Sequence, residues 1–247
     1  MQFGIFSPVD FTIAFAIVFV AFVVRGSLGF GSGLISVSLL LFILPVTVAV
    51  PIVYIIDTLG SLVLGTYDFK QIDWKELPWL WPATIIGLAI GAWILHVLPA
   101  QHVTALLGLF ILAYVTYAYI VKPGSLPRVR RPWGAPLGLL GGTMGSLYGG
   151  GGPAIVAYLQ MRHLDKRGFR ATFQLIAVTD GLVRGCFYTG LGLLTWPTLL
   201  SGLWLVPAMA MGLWVGNRIH FHLDVRRFQY ATLALLALTG LKLLLPI

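Results

Sequence analysis

Six apolar runs of 18 to 21 residues recur along this chain, and no other feature limits its fold as much. They cover residues 46–66, 77–97 and 103–121 in the first half and 171–191, 198–216 and 228–245 in the second. As a helix rising 1.5 Å per residue, each is long enough to cross a hydrocarbon core of about 30 Å. Composition agrees. With 58% hydrophobic and 10% charged residues and a mean hydropathy of +0.93, the 247 residues carry more apolar surface than a soluble core of that size buries. The expected fold is an all-α polytopic membrane protein, with the lipid bilayer as its first partner. The net charge of +8 sits in short clusters between the runs, which membrane topology explains without a nucleic-acid partner. Residues 1–10 hold no Lys or Arg, so the first apolar stretch lacks the basic start of a cleaved signal and is expected to stay in the mature protein. Cys186, the only cysteine, is expected to be a small buried hydrophobe.

Two further apolar stretches are broken by glycine. The first break is Arg25-Gly26-Ser27-Leu28-Gly29-Phe30-Gly31-Ser32-Gly33, and the second is Gly145-Ser146-Leu147-Tyr148-Gly149-Gly150-Gly151-Gly152-Pro153. Each is preceded by a run of intermediate length (11–24, 134–147) and followed by a short one (34–44, 154–161). About eleven residues of helix cover only about 17 Å. The short runs are therefore expected to be half-helices or re-entrant arms that start from a glycine loop at membrane depth.

The marks repeat. Pro82 with Gly87-x-x-x-Gly91 matches Pro207 with Gly212-x-x-x-Gly216 at one constant offset, and Asp57 matches Asp180 at nearly the same one. We expect two repeats of about five segments each, residues 1–121 and 134–247, joined by a basic, proline-rich cytoplasmic linker at 122–133. If each broken pair leaves and returns to one side, the basic residues around 70–75, 122–131, 162–170 and 218–227 all fall inside, and only Lys242 lies outside. That bias makes the repeats inverted and puts both termini on the periplasmic side.

Backbone N–H groups in a glycine run, together with the positive end of the helix that follows, favour a bound anion. Two such ends meeting at the midplane would form a cage from Gly29, Gly31, Gly33, Gly149, Gly150, Gly151 and Gly152, with hydroxyls from Ser27, Ser32 and Ser146. The isolated Gly87-x-x-x-Gly91 is read instead as close helix packing. Charges inside a membrane are costly and rarely accidental. Arg25 and Arg184 are candidates to neutralise the anion, Asp57 and Asp180 to carry a coupled proton or to gate, and Gln174 to reach the cavity. Asp180 and Arg184 stand one helical turn apart, so two readings stay open: a self-satisfied pair that fixes packing, or a working part of the site. No metal-ligand spacing and no nucleophile, phosphate-loop or zinc-protease motif is present, so neither a cofactor nor an enzyme activity is expected.

Two halves, each with a glycine break after a first apolar segment and then a proline and an acidic helix, resemble the sulfite exporter TauE/SafE family. The second break, Gly-x-x-Tyr-Gly-Gly-Gly-Gly-Pro, is the more specific, while the first departs from it with Phe30 and Ser32 among its glycines. The resemblance covers nearly the whole chain. It implies a transporter of the bacterial inner membrane for a small anion such as sulfite, sulfoacetate or another sulfonate. An anion channel and a membrane scaffold or insertion factor are the other classes that fit the sequence.

Overall fold

The apolar run at 77–97 folds as one helix over its whole expected length, and its neighbours do nearly the same. The computed structural model describes residues 4–65, 69–121, 126–149, 152–219 and 225–244. Among these the regular structure is eleven α-helices with two short 3-10 turns and no β-strand. The helices are α1 (Pro8–Leu28), α2 (Ser32–Leu40), α3 (Val46–Gly65), α4 (Leu77–Val97), α5 (Ala100–Ile120) and α6 (Gly134–Tyr148). They continue with α7 (Gly152–Met161), α8 (Lys166–Gly190), α9 (Trp196–Trp204), α10 (Val206–Ile219) and α11 (Val225–Leu244).

Local chemistry sets most boundaries. Ser7 caps α1 by accepting from the Asp10 N–H at 3.2 Å, with Pro8 in the first turn, where its missing N–H costs nothing. Asp165 starts α8 earlier than the apolar run indicates, accepting from Gly168 N–H at 3.3 Å. Thr195 and Thr198 form a capping box at the head of α9. α1 and α6 end the same way, on a left-handed glycine: Gly29 at φ 89° donates to the Arg25 carbonyl, and Gly149 at φ 66° to that of Gly145. The short stretches after the breaks are indeed short, 9 residues in α2 and 10 in α7.

The run at 198–216 is not one helix. It divides at Leu205, two residues before Pro207, which has no N–H to offer the Leu203 carbonyl one turn back. Pro82, its repeat-matched counterpart, lies inside an unbroken α4. Among the described residues, five stretches are long and apolar enough to cross a membrane: α1, α3, α4, α5 and α9 with α10. α8 has the length, at 25 residues, but carries Gln174, Asp180 and Arg184 along with a basic first turn.

α3 is the centre of the bundle, with Ala49, Val50, Ile52, Val53 and Ile56 all buried, and α8 packs along it. Around them α1 lies along α10, α4 along α6, and α5 along α11. Both glycine-x-x-x-glycine pairs serve these seams. A Cβ on Gly87 or Gly91 would strike the backbone of α6, and one on Gly212 or Gly216 the backbone of α1. Cys186 is exposed on α8, not buried as expected.

Candidate functional site

The two glycine breaks touch. A Cβ built on Gly33 would fall on the Gly149 carbonyl and come within 2.5 Å of the Asp57 carboxylate. Against this contact lies a cavity of about 550 Å³. Gly31, Ser32 and Gly33 at the head of α2 and Gly149 and Gly152 at the head of α7 line it, so the N-terminal ends of both half-helices face one space. Phe30, Tyr114, Phe173, Ile176 and Leu236 supply apolar wall. The cavity extends to the end of the bundle that carries the linker, where exposed Gln160 and Tyr119 line it.

Arg25, only 4% exposed, reaches from α1 to α3. Its Nη1 donates to Asp57 Oδ1 at 2.9 Å, to the Asp57 carbonyl at 3.2 Å and to Ser32 Oγ at 3.1 Å. Its Nη2 donates to Ser61 Oγ at 2.5 Å and to Gln174 Oε1 at 3.4 Å. Ser32 Oγ in turn donates to Asp57 Oδ1 at 2.6 Å, and Gln174 Nε2 to the Gly29 carbonyl at 2.9 Å. The network ties α1, α2, α3 and α8 together at the first break, and Arg25 and Asp57 cancel one another's charge there.

Arg184 is arranged otherwise. It is 7% exposed, lines the cavity and forms no ion pair among the described residues. Its Nη1 donates to the Gly145 carbonyl at 2.6 Å, its plane lies over the Tyr54 ring with 5.2 Å to the centroid, and its Nε is buried with no partner. Tyr188 steadies the same place by donating to the Ser146 carbonyl at 2.5 Å. Asp180 also lines the cavity and makes neither hydrogen bond nor ion pair among the described residues. Of the two readings of Asp180 and Arg184, the self-satisfied pair is therefore not the arrangement seen.

The other candidate residues scatter. Ser27 donates to the carbonyls of Val23 and Gly216, on the seam between α1 and α10, and is not a cavity residue. Ser146 is fully buried with its Oγ unpartnered, outside the cavity lining. Gly150 and Gly151 lie outside the described residues. Gly29 holds its left-handed conformation in open space, with nothing a methyl group would strike. Gly29→Ala should therefore lose only the conformational term, about 1–2 kcal/mol, read as a lower melting temperature of the purified protein.

One charged cluster escaped the sequence reading. Glu76, the only glutamate, stands at the head of α4 with its side chain fully buried. It accepts from Arg162 Nε at 3.0 Å, from Arg131 Nε at 3.3 Å and from the Tyr158 hydroxyl. Arg162 Nη1 also donates to the Val129 carbonyl at 2.5 Å, which straps the end of the linker to the end of α7. Its signal in the sequence was a lone glutamate among basic loops.

A helical bundle that spans the bilayer and encloses a cavity with buried charge has the build of a membrane transporter rather than an enzyme. A family model described as sulfite exporter TauE/SafE matches residues 14–243, and the chain belongs to that family of transporters. Among curated proteins, the "Probable inner membrane transporter protein TsaS" of Comamonas testosteroni is similar, 27% identical over 195 residues that cover 78% of this chain and 81% of the relative. No solved structure matches.

Proposed function

We propose that the protein carries a small sulfur-containing or organic anion, of the sulfite, sulfonate or sulfoacetate class, across a bacterial inner membrane by alternating access, with Arg184 as the binding cation. The observation that carries this reading is a buried guanidinium that lines the cavity without a carboxylate partner and keeps an unused Nε donor. A planar fork of N–H donors suits the oxygens of a sulfonate, sulfite or carboxylate. The heads of α2 and α7 add backbone N–H groups and the positive ends of two helix dipoles from the two sides of the cavity. Asp180, one turn from Arg184 and facing the same space, is the candidate to carry a coupled proton.

An inverted repeat of residues 1–121 and 134–247 is favoured by the packing. Exchanging the halves turns the α1–α10 seam into the α4–α6 seam and leaves the α3–α8 and α5–α11 contacts in place. The bias of basic residues supports a cytoplasmic linker at 122–133 and periplasmic termini. The cavity, which extends toward the linker end, then belongs to a cytoplasm-open state.

The test is uptake of sulfite, methanesulfonate and sulfoacetate into proteoliposomes. Removing a charge-assisted contact to a buried anion costs about 3 kcal/mol, so Arg184→Ala should bind and carry its substrate on the order of 100-fold less well, with partial recovery in Arg184→Lys. Folded Arg184→Ala transporting at the parental rate would sink the reading.

A further inference from the structure

The two arginines occupy one and the same place in the two halves, contributed from opposite sides of the contact. Arg25 and Gly145 are equivalent, because each is the residue whose carbonyl accepts from the left-handed glycine that ends its helix, Gly29 on α1 and Gly149 on α6. Ser61 and Arg184 are equivalent too, each one turn after the repeat-matched aspartate, Asp57 on α3 and Asp180 on α8. In the first half the pair is joined by Arg25 Nη2 donating to Ser61 Oγ at 2.5 Å, and in the second by Arg184 Nη1 donating to the Gly145 carbonyl at 2.6 Å. A guanidinium thus bridges the same two positions twice, once from α1 and once from α8.

What differs is the aspartate. Asp57 lies 2.9 Å from Arg25, whereas Asp180 is unpaired among the described residues although it stands within one turn of Arg184. Both arginines and both aspartates line the same cavity. One half is closed on an internal carboxylate, and the other holds its cation open.

We infer that the two ion pairs alternate: Asp57 occupies Arg25 while the cavity faces the linker side, and Asp180 occupies Arg184 when the cavity faces the other side and Arg25 is released to the anion. Each aspartate is then a surrogate for the substrate on the arginine not in use. The reason is electrostatic. Two unpaired guanidiniums buried in one cavity repel each other and pay desolvation twice, so a cycle that always leaves one of them paired avoids the worst state. In a protein whose halves exchange conformations, the closed half and the open half must change places. The inference rests on the alternating-access reading given above.

Substitutions that remove one carboxylate charge test it, because each removes one internal surrogate and so disfavours one state only. Gln160, exposed on the cavity lining near the linker, becomes the reporter as Gln160→Cys in a Cys186→Ser background, labelled from the linker side with a membrane-impermeant maleimide in the full-length protein in sealed vesicles. Asp57→Asn should slow labelling about five- to tenfold, because the linker-side-open state loses its ion pair, and Asp180→Asn should leave labelling as fast as in the parent or faster. The charge-swapped double variant Arg25→Asp with Asp57→Arg keeps the ion pair but not the other contacts of Arg25, and should recover part of the lost rate. If Asp57→Asn does not fold, Asp180→Asn still decides, since slower labelling in that variant contradicts the alternation. Both substitutions moving the rate in one direction, or Asp57→Asn leaving it unchanged, would overturn the inference. Failure of the carrier reading shows differently. In that case labelling of the parent reporter would not respond to sulfite, methanesulfonate or sulfoacetate at all.

Discussion

Glu76→Ala should destabilise the protein by about 3–5 kcal/mol, the largest effect expected of any single side chain outside the cavity. Its carboxylate is fully buried and serves Arg162, Arg131 and the Tyr158 hydroxyl together. The Arg131 side chain is 43% exposed and can turn to water, so its arm adds little. The Arg162 side chain is 11% exposed and cannot, so truncating Glu76 leaves a cation with only the Val129 carbonyl at 2.5 Å for company. Glu76→Gln keeps the shape and one acceptor and should lose less. Thermal melting in nanodiscs reads both. A melting temperature unchanged by Glu76→Ala would show that the two arginines find other partners, and the strap between linker, α4 and α7 would then hold without its centre.

Gly142→Leu should block the α4–α6 seam. A Cβ on Gly142 would fall on the Thr84 carbonyl and lie 2.9 Å from the Leu88 amide nitrogen, and both are backbone atoms that no rotamer change can move. Overpacking among side chains costs about 1–3 kcal/mol; here the helices themselves must part, so the loss should exceed that range. The expected result is a strong fall in monodisperse protein on size exclusion, with Gly142→Ala intermediate. Leu140→Ala, on the same helix but 45% exposed, is the control and should behave as the parent does. If Gly142→Leu purifies and melts normally, the close approach of α4 and α6 is not required for folding.

Hydropathy and glycine carried most of the fold, because in a bilayer the length of an apolar run and the breaks in it decide where helices start and stop. The run at 77–97 became α4 to the residue. The half-helices after the breaks, and the packing role of Gly87 and Gly91, were equally open to view. Less accessible were features that depend on which helices end up as neighbours. Arg25 pairs with Asp57, a whole helix away in sequence, and this contact was invisible to spacing. Asp180 and Arg184 have the spacing of a pair, but Arg184 donates to the Gly145 carbonyl in the last turn of α6, which also accepts from the Gly149 N–H. Glu76 drew no notice in the sequence, because its partners come from the linker and the end of α7, far along the chain. The exposure of Cys186 was likewise decided by packing and not by composition.

The seams also order the birth of the molecule. α1 finds its long partner only in α10, and α4 only in α6, so each seam joins helices from different halves. At roughly 5–20 residues per second of synthesis, the stretch between the end of α1 and the start of α10 takes on the order of 10–40 s to emerge. Through that interval the face of α1 that holds Gly26 and Ser27 waits in lipid for the backbone it will later touch. The first half alone would leave both α1 and α4 in that condition. The long seams of α1 and α4 are thus each completed by a helix from the later part of the chain.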